Sequence, residues 1–186
     1  MQTKESMIGL DHATALALAG ASEKGTMRAH WRIEKYFGNF KSARDIPQGV
    51  RPFEVKEFEH NLLLNEGINE LWTLVCGTGA TKFDNANAYI GVGDSATAAD
   101  ATQTGLQAAT NKLYKAMDGG YPTYGSSQKA TWRSTFTGSD ANWAWNEITV
   151  ANGNSDAAKN LNRKVQAMGT KASGTTWVAT QEITLS

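Results

Sequence analysis

The segment Thr176-Trp-Val-Ala-Thr-Gln-Glu-Ile-Thr-Leu185 has the clearest secondary-structure pattern of the chain. Its main apolar residues are separated from one another by even numbers of positions: Trp177, Ala179, Ile183 and Leu185. Because successive side chains of an extended chain point to opposite faces, these residues share one face. Threonines and a glutamate occupy most of the other face. The segment is therefore predicted to be a strand that is buried on one side.

Further segments have the composition of strands and are separated by clusters of Gly, Asn, Asp and Ser: 30–37, 53–58, 88–93, 113–117, 131–136, 143–150 and 161–167. About eight strands joined by polar turns predict a mainly β fold, either a β-sandwich or an open barrel. The stretch between the first two strands contains Gly38, Pro47 and Pro52. Residues 30–60 are therefore expected to form a hairpin with a long loop.

One short amphipathic helix is predicted within residues 61–76. Its apolar residues follow helical spacing: Ile68, Leu71, Trp72 and Val75. Asn65 is expected to cap the N-terminus of this helix, and Gly77 is expected to end it. We expect the apolar face to pack against the β domain, in which case Trp72→Ala would lower stability by about 3–5 kcal/mol.

The chain is predicted to consist of an N-terminal arm, residues 1–29, and a β domain, residues 30–186. Nearly half of the charged residues lie in the first third of the sequence. The arm also holds apolar residues that are candidates for an interface: Met7, Ile8, Leu10, Leu16 and Leu18. A short helix capped by Asp11 and an extended arm that orders on a partner both fit this segment. In either form, we expect these residues to lie against a neighbouring subunit.

The composition excludes several classes of protein. Lys and Arg together number 18, as do Asp and Glu, so the formal net charge is zero. This balance argues against a protein that binds nucleic acid through a general basic field. No apolar run approaches the roughly 20 residues of a membrane-spanning helix, so we expect no membrane partner. Because Cys76 is the single cysteine, no internal disulfide can form, and we expect synthesis in a reducing cytoplasm.

The residue types that usually carry catalysis do not form a recognisable pattern. His12, His30 and His60 have no partner at metal-ligand spacing. Cys76 is expected to be a small packing residue. The run Gly91-Val-Gly-Asp94 lacks the third glycine and the following helix of a dinucleotide site, so its glycines are expected to let a strand bend into a turn. We predict no catalytic residue, no cofactor and no metal.

Trp143 and Trp145 form a second candidate interface, because residues two apart on a strand share a face. An exposed pair of indoles would suit stacking on a sugar or a base, whereas packing against the helix or a subunit is the more common use. Glu147 follows in the same strand, which is otherwise neutral. A buried carboxylate must be paired, and Arg133 and Arg163 are the candidate partners.

Short motifs in the last two thirds of the chain occur in a characteristic order. They are Asn61-Leu-Leu-Leu-Asn-Glu-Gly-Ile68, Ala88-Tyr-Ile-Gly-Val-Gly-Asp-Ser95, Thr102-Gln-Thr-Gly-Leu106, Thr131-Trp-Arg-Ser-Thr-Phe136, Trp143-Ala-Trp-Asn-Glu147, Leu161-Asn-Arg163 and a tail from Lys171 to Leu185. In order and spacing, residues 58–186 resemble a widespread group of tailed-bacteriophage structural proteins. Similar domains occur in tail-fibre and collar proteins and as stand-alone virion proteins.

The resemblance implies a virion component and not an enzyme. Residues 1–186 show no repeats and no fibrous stretch typical of a tail fibre, so we expect a capsid decoration (cement) protein on the outer shell. The implied partners are the major capsid protein or other virion proteins, and we expect a homo-oligomer, for example a trimer. The implied location is the virion, after synthesis in the cytoplasm of the bacterial host. A tail, collar or fibre-associated component and a carbohydrate-binding module are the alternatives.

Overall fold

The computed structural model describes residues 26–186, which form ten strands and one α-helix. The strands are β1 (Met27–Phe37), β2 (Glu54–Glu59), β3 (Leu62–Leu63), β4 (Tyr89–Gly93), β5 (Lys112–Ala116), β6 (Thr123–Ser126), β7 (Lys129–Phe136), β8 (Ala144–Ala151), β9 (Asn162–Thr170) and β10 (Thr175–Leu185). The helix α1 comprises Asn65–Cys76, and a single 3-10 turn comprises Ala43–Asp45. The mainly β fold with one short helix is therefore confirmed.

The strands form two antiparallel sheets that pack as a sandwich. Sheet 1 has the order β2-β1-β10-β7-β6, and sheet 2 has the order β3-β9-β8-β4-β5. Strands β1 and β2 pair from His30 opposite Glu59 to Lys35 opposite Glu54, so they form the expected hairpin with a long loop. Among the described residues, no helix has the length and apolar character needed to cross a membrane.

Aromatic side chains from both sheets fill the centre of the sandwich. Trp145 of sheet 2 is fully buried and meets two rings of sheet 1 edge-on. Its ring centroid lies 4.6 Å from that of Phe136 and 4.7 Å from that of Trp177. Edge-to-face contacts of this kind add to the stabilisation from apolar burial. The smaller core side chains surround them: Ile33, Ile90, Val92, Ile148, Val150 and Ala179.

Two polar contacts link the sheets across this core. The Asn162 Nδ2 atom of β9 donates to the Gln181 Oε1 atom of β10 over 2.9 Å. The Lys35 Nζ atom of β1 donates to the Met168 carbonyl oxygen of β9 over 2.7 Å and lies 4.2 Å from the Trp177 ring centroid. Because buried polar groups need hydrogen-bond partners, these contacts favour a single alignment of the two sheets.

A register shift in sheet 2 changes which residues of β8 face the core. The pairing of β8 with β9 is irregular between Trp145 and Glu147. Such an irregularity rotates the strand locally, so Trp145 and Ile148 both reach the core although they lie three residues apart. Glu147 is left on the outer face of sheet 2, where backbone N–H groups of the segment 94–111 contact it.

Some predicted boundaries differ from the structure. Strand β1 begins at Met27, so positions 27–29 belong to the first strand and not to the arm. The short strands β3 and β6 were not predicted, because one has two residues and the four residues of the other are exposed. All five candidate interface residues of the arm lie outside the described residues: Met7, Ile8, Leu10, Leu16 and Leu18.

The ends of α1 agree only partly with the predicted caps. Leu64 is the N-cap residue, and no side chain caps the helix there. Asn65 is instead the first helical residue, and its backbone N–H donates to the Ala101 carbonyl oxygen over 2.8 Å. Gly77 ends the helix as predicted, with its N–H donating to the Thr73 carbonyl oxygen over 2.9 Å.

Candidate functional site

Helix α1 packs on the sandwich mainly through Gly67 and Leu74. A Cβ atom on Gly67 would lie 2.5 Å from the Leu161 Cα atom and 2.6 Å from the Asn160 carbonyl oxygen. No other residue type fits this contact without moving the backbone. Leu64 is fully buried beside it, and Leu74 packs against the core from the last turns of the helix.

Two carboxylates fix the rotation of α1 about its axis. Glu66 Oε1 accepts hydrogen bonds from the backbone N–H groups of Asn160, over 2.9 Å, and Gly105, over 3.2 Å. One turn later, Glu70 Oε1 accepts from the Thr81 N–H over 2.8 Å and from Asn152 Nδ2 over 2.9 Å. The side of the helix that bears these glutamates and Gly67 therefore faces the protein.

Three of the four residues of the predicted apolar face consequently point outward, whereas Ile68 is half-buried. Leu71 is 39% exposed, Trp72 is 62% exposed and Val75 is 73% exposed. The prediction that these residues pack against the β domain is wrong. The sequence shows that they share a face, but the contacts of Gly67 and of the two glutamates turn that face toward solvent. We name this surface, formed by Leu71, Trp72 and Val75, the α1 face.

An apolar groove adjoins the α1 face at one end of the sandwich. It has a volume of about 710 Å³ and includes Leu71, so the two surfaces are continuous. We name it the end groove; its lining combines the start of β1, the β6–β7 turn, the end of β10 and α1. Its principal apolar residues are Met27, Leu63, Leu71, Ala130, Trp132, Leu161, Ile183 and Leu185.

The indole pair predicted as an interface does not form an exposed surface. Trp145 is fully buried in the core, and its Nε1 donates to the Ala141 carbonyl oxygen over 2.9 Å. Trp143 precedes β8, is partly buried and packs against the same core. The interface assignment of Trp145 is therefore wrong, because the register shift in β8 turns this residue inward. Neither tryptophan forms an exposed aromatic surface on which a sugar could stack.

Glu147 forms the buried ion pair that the sequence led us to expect, with Arg163 as its partner. Both side chains are fully buried, and Arg163 Nε donates to Glu147 Oε2 over 2.7 Å. The carboxylate also accepts from the backbone N–H groups of Gln107, over 2.9 Å, and Ala108, over 2.7 Å. Arg163 in turn donates to the Thr97 carbonyl oxygen over 2.9 Å. This cluster fastens the segment 94–111 to sheet 2.

Gly91 and Gly93 make room for side chains and do not form a turn. Both lie within β4. A Cβ atom on Gly93 would lie 2.3 Å from Glu147 Oε1, and one on Gly91 would lie 2.7 Å from the Tyr114 ring. The prediction of a strand bending into a turn at these positions is therefore wrong. The glycines are required because Glu147 and Tyr114 pass directly over the backbone of β4.

Lys171 is a buried cation whose backbone contacts Trp143. Its backbone N–H donates to the Trp143 carbonyl oxygen over 3.0 Å. Its Nζ donates to the Thr137 carbonyl oxygen over 2.7 Å and to Asn142 Oδ1 over 2.9 Å. Burial lowers the pKa of Lys171 to about 8, and the nearby carboxylate of Asp140 partly opposes this change. The amine therefore titrates closer to neutral pH than an exposed lysine does.

The titratable residues considered for chemistry are dispersed. His30 Nε2 lies 3.9 Å from Glu57 and 4.0 Å from Glu59 on the surface of sheet 1. Cys76 is exposed at the end of α1, so the expectation that it packs is wrong. Among residues 26–186, no three His, Cys, Asp or Glu side chains come together as metal ligands would. His12 lies outside the described residues.

Comparisons with protein-family models, with curated protein sequences and with solved structures find no match. The candidate site therefore follows from the described residues themselves. It is an interaction surface of two adjoining parts, the α1 face and the end groove, which share Leu71. Pattern analysis detected the residues of the first part but assigned them to the core. It missed the second, because Met27, Trp132 and Leu185 come together only in the fold.

Proposed function

We propose that this chain is a structural protein of a tailed-bacteriophage virion and that it binds the outer capsid surface as a decoration protein. The order of its motifs supports this proposal, since it resembles that of virion proteins. Those motifs supply the start of α1 and the strands β4, β7, β8, β9 and β10. A decoration protein acts by staying bound to the shell, and this requires a complementary surface shape and buried interface area. A compact sandwich of this kind suits such a role.

The observation that carries the proposal is the exposure of the α1 face. Leu71, Trp72 and Val75 occupy adjacent positions on successive turns, and each is at least 39% exposed. Contiguous apolar surface of this kind marks interaction sites, whereas single exposed apolar residues are normal. Tryptophan is enriched among the residues that contribute most to binding. We therefore assign the α1 face to the contact with the major capsid protein.

The free energy available from this contact is substantial. A tryptophan presents up to about 250 Å² of surface, and 62% of Trp72 is exposed, so its burial removes about 150 Å² from water. At about 25 cal/mol per Å² this corresponds to roughly 4 kcal/mol before the cost of association. Burial of Leu71 and Val75 in the same contact would add to this contribution, and the sum has to exceed the cost of association.

The first test is the copy number of the chain in purified virions, relative to the major capsid protein, by quantitative mass spectrometry. A decoration protein is expected at hundreds of copies per particle. A few copies, or a few dozen, would instead indicate a tail, collar or fibre-associated component. Absence from purified virions would overturn the structural role altogether.

The second test uses capsids that lack the protein and purified variants added back to them. Trp72→Ser is expected to lower occupancy at least ten-fold, because it removes most of the apolar contact while leaving the sandwich intact. Phe37→Ser is the matched control, since Phe37 is 73% exposed but lies at the opposite end of β1 from Met27. At about 3.3 Å per residue, that separation is roughly 33 Å. Equal occupancy of both variants would contradict the assignment of the α1 face.

A further inference from the structure

The end groove is an apolar surface that the described residues leave open. Its volume of about 710 Å³ is similar to that of pockets that bury most of a ligand's surface, which have volumes of about 300–1,000 Å³. Leu71, Trp132 and Ile183 lie in its lining, and of the described residues that form it only Lys129 is charged. An occupant is therefore expected to offer several neutral apolar side chains.

Thr26, the first residue that the structure describes, lies at the rim of this groove. The Thr26 N–H donates to the Ser186 carbonyl oxygen over 2.5 Å, and the Ser186 N–H donates to the Thr26 carbonyl oxygen over 2.9 Å. These bonds hold Thr26 beside the C-terminus. The next residue, Met27, lines the groove together with Leu185. The backbone to which residues 1–25 are covalently attached therefore lies at the groove.

We infer that residues 13–21 dock in the end groove of their own copy, with Leu16 and Leu18 as the inserted side chains. This stretch reads Ala-Thr-Ala-Leu-Ala-Leu-Ala-Gly-Ala and contains no charged residue, which matches the groove lining. Residues 22–26 separate it from Met27 and extend to at most about 17 Å, at about 3.3–3.6 Å per residue. A tether this short gives an effective concentration in the millimolar range, which favours the same copy over a second one.

The other apolar patch of the N-terminal segment fits the groove less well. At least 16 residues separate this patch, Met7, Ile8 and Leu10, from Met27, and Lys4, Glu5 and Asp11 flank it. A longer tether lowers the effective concentration, and insertion would bring charges to an apolar rim. For this patch, contact with a neighbouring subunit stays a prediction. The docking of residues 13–21 concerns the free protein and does not depend on the virion role.

Disulfide cross-linking of the full chain tests the inference. In a Cys76→Ala background, Ala17→Cys is combined with Ser126→Cys, because Ala17 lies between the two leucines and Ser126 lines the groove. The control pairs Ala17→Cys with Gln48→Cys, an exposed position in the loop beyond the far end of β1. Under mild oxidation, the groove pair is expected to form an intrachain disulfide roughly ten-fold faster than the control pair, at a rate independent of protein concentration.

Binding of an apolar fluorescent dye gives a second readout. Leu16→Asp combined with Leu18→Asp is expected to open the groove and raise dye fluorescence several-fold, whereas Met7→Asp with Ile8→Asp leaves it unchanged. Near-ultraviolet circular dichroism checks that each variant keeps the native packing. Equal cross-linking of the two cysteine pairs, or unchanged fluorescence in the first dye variant, would overturn the inference. Predominant cross-linking between copies would also overturn it, in favour of a second copy as the occupant.

Discussion

Glu147→Gln is expected to destabilise the protein strongly, although it replaces only one carboxylate oxygen with an NH₂ group. In the native chain the Glu147 carboxylate accepts from Arg163 Nε over 2.7 Å and from the backbone N–H groups of Gln107 and Ala108 over 2.9 and 2.7 Å. A glutamine keeps one acceptor oxygen and turns an NH₂ group toward these donors. It also leaves the Arg163 charge buried without a counter-charge.

The magnitude follows from the burial of both partners. Removing one member of a fully buried ion pair costs about 3–5 kcal/mol, because the remaining charge is uncompensated. That is a large part of the roughly 5–15 kcal/mol that stabilises a typical domain. Since the carboxylate also anchors the segment 94–111, we expect the loss to lie at the upper end of the range. Urea unfolding at neutral pH, followed by tryptophan fluorescence, measures it.

A second ion pair of the same protein provides the control. Glu182 lies 3.0 Å from Lys129, and both side chains are more than a third exposed. Exposed pairs contribute about 0–1 kcal/mol, so Glu182→Gln is expected to change stability little. If Glu147→Gln lowers the free energy of unfolding by no more than Glu182→Gln does, the buried pair does not fasten the loop and the reasoning fails. Such a result would mean that Arg163 finds water or another acceptor.

Four further substitutions test other parts of the structure. Trp72→Ala is expected to change the free energy of unfolding by less than about 1 kcal/mol, because Trp72 points outward, whereas Trp145→Ala is expected to cost about 3–5 kcal/mol in the same denaturation assay. The pKa of Lys171 is about 8 in the folded chain and 10.5 for an exposed lysine, so the unfolded chain binds more protons between these pH values. The free energy of unfolding is therefore expected to rise with pH over this range. The difference between wild type and Lys171→Met across the range measures this contribution. Gly93→Ala places a Cβ 2.3 Å from Glu147 Oε1 and is expected to lower the melting temperature by several degrees in calorimetry.

The strands were predictable because alternation of apolar and polar residues is a local property of the sequence. In β10, Trp177, Ala179 and Ile183 are buried as the period of two requires. In β8 the same rule places Trp145 and Ile148 on opposite faces, and it failed to foresee the register shift that lets both reach the core. A bulge depends on how β8 pairs with β9, and that pairing cannot be predicted from the sequence of either strand alone.

The ion-pair partner of Glu147 was only partly predictable, because it too depends on how the strands pair. The requirement that a buried carboxylate be paired identified Arg163 as a candidate partner, because buried charges need compensation wherever they occur. The sequence could not distinguish Arg163 from Arg133, which pairs with Asp118 over 2.9 Å. That choice depends on the sheet: β8 pairs with β9, which carries Arg163, whereas β7 and Arg133 belong to the other sheet.

The helix explains why an apolar pattern alone does not locate an interface. A face formed by Leu71, Trp72 and Val75 indicates that these side chains belong away from water, but it does not specify which surface covers them. Within the chain, Gly67 allows backbone contact with Leu161, Glu66 is held by backbone N–H groups, and Leu74 packs against the core. A different face of the helix therefore packs inward. The apolar face is then available to a partner. The combination of an apolar face with a glycine and glutamates on another face of the same helix can be sought directly in a sequence.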